Sequence, residues 1–284
     1  MPLSLEAAGL VLLAALFHAS WNALVKTGGD RLAVLTMVNG FGMLICFVLI
    51  PFVAVPDSAS WIYIAASIVL HTGYYFFLIE AYRVGDLSHV YPLARGLSPL
   101  LVAGSAAVLA GEWLPPLALL GVVLASAGIV SLSFDGGPPW KNDTKPVLFA
   151  TGTAMFIAAY TVVDGIGVRL SGTAIGYLVW LAALDAIPIL VVTLILRRRE
   201  LRWTLRSEWR KGIAGAALQL TAYGLVIWAM SFSAMAAVSA LRETSVIFAT
   251  IIGTRLLKER FGLLRTSATM LVAGGVVVMN LAPA

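Results

Sequence analysis

Ten runs of about twenty predominantly apolar residues follow one another along this chain, with short polar joints between them. They fall at 6–25, 33–54, 61–82, 88–110, 115–134, 147–168, 173–196, 212–231, 234–254 and 262–281. About 20 apolar residues is the length of helix that crosses the hydrocarbon layer of a bilayer. Composition supports that solvent. Hydrophobic residues make up 60% of the 284 positions and charged residues 12%, about half of what a soluble domain carries. So little charge cannot cover a soluble core of this size. The chain therefore reads as an all-α polytopic membrane protein of ten transmembrane helices, with no room for a sizeable soluble domain. The apolar run at the N-terminus is preceded by Glu6 and no basic residue. A signal peptide has the opposite charge there, so this run reads as a retained first span.

Turn and charge signals separate the runs: Gly28-Gly29-Asp30, Pro56-Asp57-Ser58, Gly85-Asp86, Pro115-Pro116 and Gly136-Gly137-Pro138-Pro139. The longest polar stretch is Arg197–Lys211, read as a loop. Spans 3 and 4, and spans 8 and 9, are so closely joined that tight antiparallel hairpins are expected. The loops after spans 1, 3, 5, 7 and 9 collect 16 of the 19 basic residues; the other face holds Arg169, and Arg95 and Arg242 lie inside spans. The positive-inside rule puts the basic face in the cytoplasm. The expected location is the cell (inner) membrane, with both termini on the side away from the basic loops. The net charge of +5 is explained by those loops, which meet anionic membrane lipids, and calls for no nucleic-acid partner.

The end of the first half repeats in the second at an offset of 147 residues. Arg95 falls on Arg242, Ser98 on Ser245, Glu112 on Glu259 and Gly128 on Gly275. At an offset near 139, Phe17 falls on Phe156 and Trp21 on Tyr160. Five spans per copy is an odd number, so the copies enter the membrane from opposite sides. Inverted repeats of this sort are typical of secondary transporters, whose substrate site lies near the bilayer midplane between the halves. The expected division is a first repeat over 1–134, a linker over 135–146 and a second repeat over 147–284.

Several segments resemble a known family. Tyr91-Pro92-Leu93-Ala94-Arg95-Gly96-Leu97-Ser98-Pro99, Gly111-Glu112, Gly121 and Gly128 resemble the second part of an EamA domain of the drug/metabolite transporter superfamily. Leu241-Arg242-Glu243-Thr244-Ser245, Lys258-Glu259 and Gly274-Gly275 are similar in the second copy, and Phe17-His18-Ala19-Ser20-Trp21-Asn22 resembles the first helix of many such proteins. Lys258 stands where the family habit is Gly before Glu. The resemblance covers nearly the whole chain and implies ten helices, pseudo-twofold halves and a central cavity. Bacterial ten-helix members include exporters of amino acids, notably aromatic ones, and of other metabolites.

A charge at mid-membrane is costly and wants a partner or a wet cavity. The candidates are Arg95, Arg242, Glu243, Asp164, Asp185 and Glu80. Arg95 and Arg242 occupy matching points of the two copies. One reading has them hold an anionic substrate group such as a carboxylate, which guanidinium binds in bidentate fashion. The other has them in structural ion pairs with Glu243, Asp164 or Glu80, or snorkelling. Arg242 and Glu243 are adjacent, so on a continuous helix their side chains leave about 100° apart and are not expected to pair. Glu112 and Glu259 each precede a helix and read as structural, near the exposed N–H groups of the helix start.

Polar and aromatic side chains recur at helical spacing in four spans: His18, Trp21 and Asn22; His71, Tyr75 and Tyr82; Tyr160 and Asp164; Gln219 and Tyr223. Four such stripes suit the wall of one cavity for an amphipathic solute. The competing reading assigns Tyr and Trp to interfacial belts and His and Gln to interhelical bonds. Trp61, Trp113 and Trp140 read as belt residues and His89 as structural. The substrate-site candidates are thus His18, Trp21, Asn22, His71, Tyr75, Tyr160, Gln219, Tyr223, Arg95 and Arg242. Candidates for carrying a coupling proton are Asp164, Glu243 and His18. A facilitator driven by the solute gradient is equally open. Gly121, Ala125, Gly274 and Gly275 form small-residue stripes for close helix contact, between the end helices or in a dimer.

No HExxH, GxSxG or Walker motif is present, and no catalytic set supports an intramembrane enzyme. The lone cysteine, Cys46, excludes an intrachain disulfide and a cysteine metal cluster. A structural or sensory membrane protein is a third class, but the loops are too short for a docking domain. The expected function is a secondary transporter exporting small metabolites, amino acids first. A phosphorylated or lipid-linked solute, nucleotide-sugar-like, is the alternative. No cofactor or metal is expected; the partners are the small-molecule substrate and membrane lipids, and the protein is a monomer or weak homodimer.

Overall fold

The computed structural model describes residues 5–26, 30–85, 87–135, 137–138, 143–256 and 262–281. Its helices are α1 (Leu5–Lys26), α2 (Arg31–Leu49), α3 (Trp61–Val84), α4 (Leu87–Ala110), α5 (Pro116–Ser131), α6 (Lys145–Leu170), α7 (Ala174–Leu196), α8 (Arg198–Met230), α9 (Met235–Arg242), α10 (Ser245–Leu256) and α11 (Leu263–Asn280). Among the described residues nine helices are long and apolar enough to cross a membrane. The remaining apolar run, 234–254, is divided between α9 and α10. The outer surface carries large apolar side chains, such as Phe52, Val108 and Leu263, as expected of a surface that faces lipid.

The division of the ninth run departs from the expected single helix. Around Glu243 and Thr244 the backbone bonds tighten to the three-residue pattern: Glu243 N–H donates to Ala240 O (3.1 Å), Thr244 N–H to Leu241 O (3.1 Å) and Val246 N–H to Glu243 O (3.0 Å). The Thr244 hydroxyl also donates to Leu241 O (2.7 Å). No proline or glycine lies at this point, so the sequence carries no breaker signal for it.

Two further expectations are corrected. Arg197–Lys211 is not a loop: α8 begins at Arg198, and Glu208 (φ −128°, ψ 15°) marks a kink before its membrane part. Arg, Leu and Glu are good helix formers, and this stretch is amphipathic. Leu201 and Thr204 are buried, Leu201 packing on Ala33, Val34 and Met37 of α2, while Trp203 and the arginines are exposed. Spans 3 and 4 do not form a packed hairpin either, because α6 packs against both α3 and α4. Glycines make the notches: a Cβ on Gly73 would stand 2.3 Å from the Phe156 ring, and one on Gly152 the same distance from Phe77. A short joint fixes where two ends meet, not which faces pair.

The packing has the pseudo-twofold expected of inverted repeats. The first helix of each repeat packs into the other repeat: α1 against α8, α9 and α10, and α6 against α3 and α4. The second helices pair with each other, α2 with α7, as do the last, α5 with α11. Thr36 and Thr193 join hydroxyls across the α2–α7 contact at 2.6 Å. At the other end α5 and α11 approach backbone to backbone. A Cβ on Gly121 would lie 2.5 Å from Gly275 O, and one on Gly275 would lie 2.6 Å from Gly121 O. The small-residue stripe thus serves the end-helix contact, with Gly275; nothing lies within 4 Å of a Cβ on Gly274.

The main apolar core is off-centre. Ala8 and Val11 of α1, Ile64 of α3, Val102 and Ala106 of α4, Tyr177 of α7, Met230 of α8 and Met235, Ala236 and Val238 of α9 cluster together. All lie toward the helix ends remote from the basic loops. That half of the molecule is solid, and the half beside the basic loops is hollow.

Candidate functional site

A cavity of about 450 Å³ enters from the basic-loop end and stops near mid-membrane. Leu32, Asn22, Tyr82, Arg83 and Arg197, all near helix ends on that side, ring its mouth. All ten substrate-site candidates line it. They arrive from α1, α3, α4, α6, α8 and α9, so both repeats contribute.

Arg95 and Arg242 form the deep end, at 6% and 4% exposure. Between them lies Glu243, fully buried, with Oε2 2.8 Å from Arg95 Nε and Oε1 3.7 Å from Arg242 Nε. Glu243 therefore does approach its sequence neighbour, against the expectation for a continuous helix. The reason is the break: Glu243 sits in the turn after α9 (φ −69°, ψ −10°) rather than on a helix face. Local chemistry also prepares Arg95. Pro99 supplies no N–H to the Arg95 carbonyl one turn earlier, and the Ser98 hydroxyl donates to that carbonyl instead (3.0 Å). Glu80, another of the three partners considered, pairs with Arg83 at the end of α3.

The side walls are aromatic and amide. The His71 ring stacks on Tyr160 with centroids 4.1 Å apart, and Tyr223 meets it edge-on at 6.0 Å. His71 Nδ1 lies 3.1 Å from both the carbonyl and the hydroxyl of Ser67. The Trp21 indole N–H donates to His18 Nδ1 (3.3 Å) and the Asn22 amide to His18 O (2.8 Å). Asn39 of α2 links three helices: its Oδ1 accepts from Tyr75 O–H (3.2 Å) and from Gln219 Nε2 (3.3 Å).

Two of the three proton-carrier candidates lie behind the wall. Asp164 is fully buried, accepting hydrogen bonds from the hydroxyls of Tyr177 (2.9 Å) and Tyr223. Glu243 is held by the arginines. His18 is on the wall. The acidic residue that does line the cavity is Asp185 of α7, which the sequence marked only as a charge in need of a partner. Asn39, Tyr74 and Tyr91 line it too without having been singled out. Tyr74 stands three residues from His71 and Tyr91 four from Arg95, so helical spacing carried a signal for both.

The end remote from the basic loops is closed by a polar clasp. Arg169, at the end of α6, pairs with Glu112 and donates to Met230 O (2.9 Å) and Ser233 O (2.8 Å). The second Glu112 oxygen accepts from Met235 N–H (2.9 Å). Glu112 is thus structural, as expected, but it caps α9 of the other repeat rather than the helix it precedes. Glu259 and Lys258 lie outside the described residues, as does Trp140. Trp113 is exposed; Trp61 instead packs edge-on against Trp180 at 5.2 Å. His89 Nδ1–H donates to Ser133 O (2.6 Å), which makes it a structural link between α4 and the segment after α5.

The model for the EamA-like transporter family matches residues 5–134 and again 144–281. No curated protein matches the chain. Among solved structures, the crystal structure of a protein 19% identical to this chain superposes with a TM-score of 0.78, over 97% of this chain and 96% of its own. That likeness concerns the fold.

Proposed function

Since the chain belongs to the EamA-like transporter family, a family of membrane transporters of small solutes, we propose that it is a secondary transporter exporting amino acids, aromatic or hydrophobic ones first, by alternating access. The observation that carries this reading is the cavity, blind at mid-membrane, with Arg95 and Arg242 at its deep end and contributed by opposite repeats. Guanidinium suits a carboxylate. The aromatic side walls suit an apolar side chain, and the volume suits a small metabolite. The positive-inside rule puts the mouth on the cytoplasmic side of the cell membrane, the loading side for an exporter. Transport then requires the polar clasp at the far end to part.

Flux of a labelled amino-acid panel into proteoliposomes holding the purified protein, with and without a pH gradient, tests this. Saturable flux of some members is expected, and dependence on the gradient separates proton antiport from facilitation. Flux no greater than in protein-free liposomes, with folded protein, would reject amino acids and favour a phosphorylated or lipid-linked solute.

A further inference from the structure

The cavity has two poles of ionisable side chains, and each keeps a buried polar atom without a hydrogen-bond partner. At the deep pole two guanidinium groups share one carboxylate, and Nη2 of both Arg95 and Arg242 is buried without a hydrogen-bond partner. That pole carries a surplus positive charge. At the second pole stands Asp185, midway along α7. Its Oδ1 is buried without a hydrogen-bond partner. The nearest basic atom is His71 Nδ1, 3.5 Å away, which is engaged by Ser67. Among the described residues no lysine or arginine forms an ion pair with Asp185, and it is the one acidic residue on the cavity wall.

Leaving a charge unmatched at mid-membrane is unfavourable, and a ligand that supplies the missing charge gains what the empty site lacks. We propose that Asp185 is an ammonium site and the counter-pole to Arg95 and Arg242, so that the cavity selects zwitterions over plain carboxylates. This rests on the amino-acid reading and names the group by which that class is recognised. An ammonium has three N–H donors; Asp185 accepts one or two of them. The π-faces of neighbouring tyrosines suit a cation as well. Asp164 cannot take this role, since phenol hydroxyls hold both its oxygens, and Glu243 is committed to the arginines. A phosphorylated solute without an amine brings no cation to Asp185, and its negative charge is unfavourable beside a carboxylate.

The test compares affinities of the reconstituted protein for phenylalanine, leucine and threonine with those for 3-phenylpropionate, 4-methylpentanoate and 3-hydroxybutyrate, which lack the amine. In the wild type at least one amino acid is expected to bind about tenfold or more tighter than its amine-free counterpart. Asp185→Asn should bring that ratio close to one, and Asp185→Glu should keep most of it. Equal wild-type affinities within every pair would overturn the proposal without any variant, which covers the case where Asp185→Asn does not fold. An unchanged ratio in folded Asp185→Asn would overturn it while leaving the amino-acid reading intact. Binding of none of the three amino acids by the wild type would remove both.

Discussion

Glu243 is the residue on which the deep end of the cavity depends. It has no exposed surface and is the carboxylate that two buried arginines share. Removing one member of a buried charge cluster leaves the others uncompensated, at a cost of about 3–5 kcal/mol. Glu243→Gln is therefore expected to lower thermal stability in detergent by about that much, even though the side chain keeps its shape. The two arginines are not equivalent. Arg95 holds Glu243 at 2.8 Å and Arg242 at 3.7 Å, so Arg242 is the freer to meet a solute. Arg242→Ala should impair flux more than Arg95→Ala in the proteoliposome assay, with Arg95→Ala acting mainly on stability. Wild-type flux in both would remove the arginines from the mechanism. Helical spacing and the repeat offered both arginines and eight polar or aromatic residues as candidates, against interfacial belts and structural pairs, and the structure lines one cavity with them. That spacing set Asp164 on the same wall and passed over Asp185, the reverse of what the structure shows, because one carboxylate in an apolar run looks like another until the neighbouring helices supply two phenols to one and none to the other.

Between elements, the tightest joint is α5 with α11. A Cβ at Gly121 would meet the Gly275 carbonyl and the Met279 amide, both backbone, which cannot swing aside. Gly121→Ala is expected to destabilise by roughly 1–3 kcal/mol through overpacking. Gly274→Ala makes the control: open space surrounds it and alanine is the better helix former, so stability should hold or rise slightly. Equal effects in thermal unfolding would contradict the assigned packing. The clasp of Glu112 and Arg169 binds α6, the end of α8 and the start of α9 together. In a Cys46→Ala background, a cysteine at the fully buried Val238 should resist a membrane-impermeant maleimide. Adding Glu112→Gln should make it react from the side away from the basic loops. No change in labelling would mean that the apolar core closes this end unaided.

For the whole molecule, the hollow half faces the basic loops and the solid half faces away. A cysteine at Leu35, on the cavity wall, should label from the basic-loop side and be protected by a bound amino acid. The length and apolarity of the runs determined the membrane, the helices and the near count of spans, because a bilayer leaves the backbone few ways to satisfy its own polar groups. The odd-numbered repeat determined the inversion. Only the tertiary structure decided that α6 stands between α3 and α4, that the ninth run breaks at Glu243, and that Glu112 caps a helix of the other repeat. Each of these depends on a group 80 or more residues away finding its partner: Phe156 in the notch of Gly73, Arg95 beside Glu243, Met235 N–H at Glu112. A linear pattern records which side chains a helix turns to one face; it does not record what stands opposite.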